Sequence, residues 1–169
     1  MKSGRQENFE FEILNAVMAV NENQKTVLMP KIKNFFRNDL KGKKIALWGL
    51  AFKPDTDDIR EAPALFMIDA LVKEGAQVTA YDPEAMNNVK HLIGDKIEYA
   101  TSEYAALQGA DALVICTEWG VFRNPDFNKV KSMMADAVIF DGRNLFEVED
   151  MNQLGFYYSS IGRTTIKKD

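Results

Sequence analysis

Cysteine and histidine occur once each in this chain, as Cys116 and His91. One cysteine makes no internal disulfide. His91, with no second histidine or cysteine beside it, has no partners for a zinc site. Positive charge is also in short supply: 21 lysines and arginines against 25 acids leave a net charge of −4 and a pI near 5.2. A nucleic-acid surface wants clustered Lys and Arg, so none is expected. No apolar run approaches the roughly 20 residues that cross a bilayer. The opening M-K-S-G-R-Q-E-N has no apolar stretch behind its basic start, so a secretory signal is not expected there. A cytoplasmic protein without nucleic-acid or membrane partners follows by default. The glycine fingerprint G-x-G-x-x-G of dinucleotide sites is missing as well.

Within those bounds, 46% apolar residues in a chain of 169 suffice for one packed domain with an appended helix. Residues 8–36 read as a single long helix. Phe11, Leu14, Val17, Met18, Val27, Leu28, Ile32 and Phe35 recur in it at spacings of three, four and longer. Pro30 should kink it or mark a break, because proline lacks the N–H and crowds the preceding turn. Such a helix cannot bury all its apolar residues on one small domain. The leftover face suggests a partner chain or a missing domain.

From residue 43 the pattern alternates. Strands are expected at Lys44–Trp48, Gln77–Tyr81, Ala112–Cys116, Ala137–Phe140 and, more weakly, Phe156–Tyr158, with a short one at Ile97–Tyr99. Most are continuous apolar runs, as in a parallel sheet covered on both faces. Helices are expected over about 62–75, 84–93, 101–108, 126–134 and 146–153, with Ser102 or Thr101 capping the third. The alternation implies a doubly wound α/β domain with a parallel sheet. Cys116 reads as a small buried strand residue. Glu118 nearby opposes the electropositive setting that a reactive thiolate needs. The tail I-K-K-D is expected to fray.

In such a sheet ligands bind at the carboxyl ends of the strands. That selects four loops: Gly49–Glu61, Asp82-Pro83, Thr117-Glu118-Trp119 and Asp141-Gly142-Arg143-Asn144. The first follows a buried strand, leads into a helix start, and carries Lys53, Arg60 and four acids. Lys53 and Arg143 fall on the same rim, and two cations converging on one crevice suit a diphosphate. The competing reading pairs them with the neighbouring acids Asp55, Asp57, Asp58, Glu61 or Asp141. The run D-T-D-D fails as a calcium loop, since Arg60 and Phe66 stand where such a loop needs Gly and Glu. Asp57 or Asp58 should instead hold the loop together through Arg60 or local N–H groups. Asp82 alone is a weak sign of a ribose-gripping acid and more simply ends a strand.

Six stretches together resemble one family, the UDP-glucose/GDP-mannose dehydrogenases. They are A-V-x-x-V-N-E-N-Q-K at 16–25, G-L-A-F-K-P-D-T-D-D-I-R-E-A-P-A at 49–64, Y-D-P at 81–83, A-D-A-L-V-I-C-T-E-W at 110–119, D-G-R-N at 141–144 and Y-x-x-I-G-R at 158–163. The resemblance implies a layout in which an NAD-binding Rossmann domain leads, by a long central dimer-forming helix, into a C-terminal Rossmann-like domain that binds UDP. This chain is similar to the end of that helix, at 8–36, plus the C-terminal UDP-sugar-binding domain, at 42–163. Carried over by motif, Phe52, Lys53 and Arg143 would contact UDP-glucose or a related nucleotide sugar. Arg60 would reach toward NAD held mainly by the other domain, and the helix would make a homodimer. The implied reaction is oxidation of UDP-glucose to UDP-glucuronate with two NAD. The GDP-mannose and N-acetylmannosamine relatives share much of the pattern.

The departures matter as much. The family's catalytic cysteine lies in a G-x-x-x-x-C-F-P-K-D-type segment before the helix. No such segment occurs here, and Cys116 is in the wrong place. The groups for covalent catalysis and for hydride transfer are both missing. The expectation is therefore a C-terminal part that is inactive alone.

Overall fold

The computed structural model describes residues 12–167. The expected start of the first helix, with Phe11 of its apolar stripe, lies outside the described residues, as do Lys168 and Asp169 of the tail. Two helices come first, α1 (Glu12–Thr26) and α2 (Leu28–Phe35). Then follow β1 (Lys44–Trp48), α3 (Pro63–Lys73), β2 (Gln77–Tyr81), α4 (Met86–Ile93), β3 (Glu98–Tyr99) and α5 (Glu103–Ala106). The chain closes with β4 (Ala112–Ile115), α6 (Phe127–Met133), β5 (Val138–Asp141), α7 (Val148–Gln153) and β6 (Tyr157–Ser160).

The strands form one six-stranded sheet in the order β3-β2-β1-β4-β5-β6, with every pairing parallel. β4 and β5 are buried along their whole length, and β1 is buried from Ile45 onward. The continuous apolar runs were therefore a sound signal for strands covered by helices. α3 begins with Pro63, whose missing N–H costs nothing in a first turn. It buries Ala64, Met67, Ile68 and Leu71, the spacing of one helical face. Phe35 of α2 meets Phe140 of β5 edge-on at 5.9 Å. Trp48 stacks on Phe122 at 5.0 Å, and its indole N–H donates to the Glu103 carbonyl at 2.8 Å.

The single helix expected over 8–36 is two helices within the described part. The interruption falls at Val27, three residues before Pro30. A proline crowds the carbonyl four residues back, here Thr26, and is tolerated inside the first turn of a new helix. Val27 keeps helical angles (φ −56°, ψ −33°), so the chain is kinked rather than reversed. α2 buries Leu28, Met29 and Ile32, whereas α1 buries nothing. Ser102 caps α5, accepting from the Ala105 N–H at 3.0 Å.

Candidate nucleotide site at the carboxyl edge of the sheet

Strand β1 turns sharply at Gly49, whose φ is +89°. A Cβ there would lie 2.5 Å from the Thr117 Cβ, so glycine is required by both angle and space. Beyond it the loop is pinned from below by Asp82. This residue is fully buried, and its carboxylate accepts five hydrogen bonds. Oδ2 receives the N–H groups of Leu50 (2.7 Å) and Ala51 (3.0 Å) and the Trp119 indole N–H (3.0 Å). Oδ1 receives those of Glu84 (2.9 Å) and Ala85 (2.7 Å). The Thr117 hydroxyl donates to the Ala51 carbonyl at 2.6 Å. Asp82 thus does far more than end a strand: it ties the loops after β1, β2 and β4 into one body.

The loop after β5 is built on the same plan. Buried Asp141 accepts from the Arg143 N–H (2.8 Å), the Leu145 N–H (2.7 Å) and the Tyr158 hydroxyl (2.8 Å). Burial first, then this carboxylate, pushes the Tyr158 phenol well above its ordinary value. A Cβ on Gly142 would stand 2.8 Å from the Ile115 carbonyl oxygen, so β4 and the loop approach too closely for any larger residue. Asn144, at φ 55°, exchanges two hydrogen bonds with the Ile161 backbone at 3.1 and 3.0 Å. Arg143 is thereby fixed at its backbone, and its Nε–H donates to Oε2 of Glu118.

Between these loops and α1 lies a cleft of about 630 Å³, lined among others by Met18, Lys25, Phe52, Glu61, Cys116 and Arg143. Its wall on the α1 side is held by Lys25, whose side chain is 10% exposed. Lys25 donates to Glu22 of its own helix at 2.6 Å and to Glu61 of the β1–α3 loop, and lies 4.4 Å from the centre of the Phe66 ring. Those hydrogen bonds to Glu22 and Glu61 raise its pKa above the ordinary lysine value. Glu61 itself has φ 58°, a left-handed angle uncommon outside glycine.

The structure brings Phe52 and Arg143 to this one cleft. Phe52 is 47% exposed. Lys53 is exposed and is not among the lining residues, so its expected convergence with Arg143 on one crevice is not seen. Arg60 faces a separate shallow depression that includes Asn88 and His91. It grips Asp58 with Nε–H to Oδ1 at 2.9 Å and a terminal N–H to Oδ2 at 2.7 Å. That pairing lowers the Asp58 carboxyl to about 2. Of the two acids expected to hold this loop, Asp58 does so through Arg60, while Asp57 accepts from Asn88 at 3.0 Å. Burial pushes the Cys116 thiol up to about 12. It lines the cleft as a nearly buried thiol. Sequence reasoning named neither Lys25 nor Glu118 as a site residue. Lys25 lies in the N-E-N-Q-K stretch and Glu118 in the loop after β4, so both were within view.

A wholly parallel sheet with a central strand crossover, and a cation-bearing cleft at its carboxyl edge, places the molecule among Rossmann-like domains. Residues 46–148 match the UDP-glucose/GDP-mannose dehydrogenase family, UDP binding domain, and the chain belongs to that family. A UDP-glucose 6-dehydrogenase of Pseudomonas aeruginosa is 44% identical over 96% of this chain, and the match covers 37% of that relative. Among solved structures, a UDP-glucose dehydrogenase from Pyrobaculum islandicum aligns with a TM-score of 0.77 at 28% identity, covering 88% of this chain and 33% of that one. A UDP-D-ManNAc dehydrogenase from Pyrococcus horikoshii aligns at 0.73 and 25% identity, covering 95% and 36%. The chain therefore spans about a third of the length of these relatives.

Proposed function

We propose that this chain is the UDP-sugar-binding part of an NAD-dependent nucleotide-sugar dehydrogenase that oxidises UDP-glucose to UDP-glucuronate. The observation that carries this reading is the cleft at the carboxyl edge of the sheet, with Arg143 and Phe52 in its wall. Only the Nε–H of Arg143 is engaged; its terminal nitrogens have no hydrogen-bond partner among the described residues and can fork onto diphosphate oxygens. The half-exposed Phe52 ring offers an apolar face to a base or sugar. Lys53, exposed and outside the cleft wall, would supply a point charge only to a ligand that extends beyond it. Their contribution is orientation, not bond-making.

One observation supports the reading that this domain does not itself hold the dinucleotide. The acid at the end of β2, which grips the ribose in dinucleotide folds, is here Asp82, buried and committed to five donors. NAD is accordingly held outside this domain. Arg60, whose side chain is 87% exposed, lies where a neighbouring domain can reach it. The 169 residues hold neither the glycine fingerprint nor the C-F-P-K-D segment. By themselves they bind without oxidising. The test is NMR of the folded chain with saturating UDP. Shifts confined to the Phe52–Lys53 and Arg143 loops support the reading, and an unshifted spectrum overturns it.

A second role is compatible and rests on a different observation. α1 exposes Ile13 (80%), Leu14, Val17, Met18 and Val20 (57%) and buries no residue. An apolar helix surface of that kind suits contact with a second copy, giving a homodimer. A monomer by sedimentation at high concentration counts against it. The sugar is the other open choice, since similarity extends to the UDP-D-ManNAc enzyme's structure. Among the described residues, no helix is long and apolar enough to cross a membrane. We place the protein in the cytoplasm.

A further inference from the structure

We infer that Glu118 is a positioning residue for nucleoside-diphosphate binding. It takes the rear edge of the Arg143 guanidinium and leaves the two terminal nitrogens turned over to the ligand. The inference rests on the reading of the cleft as a UDP-sugar site. Three observations support it. First, the hydrogen bond of the pair is made by Arg143 Nε–H to Glu118 Oε2, and neither terminal nitrogen makes a hydrogen bond among the described residues. A guanidinium has five N–H donors in a fixed plane, so binding one edge sets the direction of the others.

Second, Arg143 lines the cleft and Glu118 does not, so the carboxylate lies outside the cleft wall that a ligand would meet. Both side chains are about 30% exposed, at 30% and 29%, too open for a core ion pair and too covered for a free surface one. Third, both partners are held by rigid backbone. Glu118 sits between Thr117, bonded to the Ala51 carbonyl, and Trp119, bonded to Asp82. Arg143 sits between Asp141, which accepts its own N–H, and Asn144, which is locked to Ile161. The T-E-W segment thus joins the loop carrying Phe52 to the loop carrying Arg143. The middle residue of the three makes the second connection.

The test is calorimetric titration of the chain with UDP, in the wild type, Glu118→Gln, Arg143→Lys and the double variant. Glu118→Gln keeps shape and removes charge, and thermal unfolding checks that each variant is folded. Acting through Arg143, Glu118→Gln weakens UDP binding about fivefold to tenfold in the wild type, and changes it less than about twofold once Arg143 is lysine, which has no Nε edge to hold. A merely structural role predicts the same loss in both backgrounds and overturns the inference, as does unchanged affinity in Glu118→Gln. Loss of UDP binding in Arg143→Lys with no effect of Glu118→Gln overturns the positioning role while leaving the site standing. Absence of UDP binding by the folded wild type overturns both. As a ligand-free readout, the Arg143 Nε–H resonance is expected to be protected from exchange in the wild type and to lose that protection in Glu118→Gln; equal exchange in the two contradicts the inference.

Discussion

The indole N–H of Trp119 donates to Oδ2 of Asp82 at 3.0 Å, the same oxygen that receives the backbone N–H groups of Leu50 and Ala51. One buried carboxylate therefore sets the position of three loops at the ligand edge of the sheet. Asp82→Ala leaves five donors without that acceptor in a buried place. An unsatisfied buried donor costs about 1–3 kcal/mol, so a total loss of about 3 kcal/mol or more is expected. A urea midpoint lowered with an unchanged slope checks this. A midpoint within error of the wild type contradicts it.

Two glycines with left-handed angles should respond differently to the same change. Gly49 (φ +89°) has Thr117 within 2.5 Å of an added Cβ, whereas Gly42 (φ +73°) has nothing within 4 Å. Gly42→Ala carries only the backbone cost, about 1–2 kcal/mol. Gly49→Ala adds a clash and is expected to cost clearly more. Equal losses in denaturant melts mean that Thr117 yields freely.

Asp58 should titrate at about 2, below the ordinary 3.8, because Arg60 holds its charged form. The sign follows from the lowered folded value: any stability from this pair is present above pH about 4 and is lost as the pH falls through about 2. The pair is solvent-exposed, so the effect on stability is small and the titration itself is the readout. Carboxyl NMR should show the Asp58 midpoint rise toward 3.8 in Arg60→Ala. An unmoved midpoint contradicts the pairing.

Cys116 should resist thiol reagents at pH 8 in the folded chain and react promptly in denaturant, since burial pushes its pKa to about 12. Rapid stoichiometric labelling of the native protein refutes the inert reading.

How far the sequence foresaw the structure differs by element. β1 and β2 ran over the residues expected, because β-branched and apolar runs flanked by polar residues leave little choice of register. β5 and β6 each extend past their expected ends, to Asp141 and Ser160. These polar residues look like loop in a sequence, but Asp141 is buried among donors that only the fold supplies. α4 starts at Met86 rather than 84, and the N–H groups of Glu84 and Ala85 ahead of it are bound by Asp82. Of the four loops read from the sequence, those after β1 and β5 line the cleft, while Asp82, Thr117 and Trp119 of the other two brace the first of them. The Lys25–Glu61 and Glu118–Arg143 pairs were not legible in the sequence, because residues 36 and 25 positions apart meet only through the folded sheet.

Lys25 gives a further check on that long-range pairing. No residue of α1 is fully buried and Lys25 is its most covered side chain, so its attachment leans on Lys25 reaching Glu61 and the Phe66 ring. Lys25→Met should speed amide exchange in α1 and leave β1 and β4 unchanged. Unaltered exchange in α1 means that other contacts hold the helix.

The most direct measurement is calorimetric titration of the folded chain with UDP-glucose, GDP-mannose and NAD in turn, repeated on Arg143→Ala. Binding of UDP-glucose alone, lost in the variant, is the result expected of a UDP-sugar site built around Arg143. Binding of NAD, or of no nucleotide at millimolar concentration by a chain shown to be folded, would contradict it.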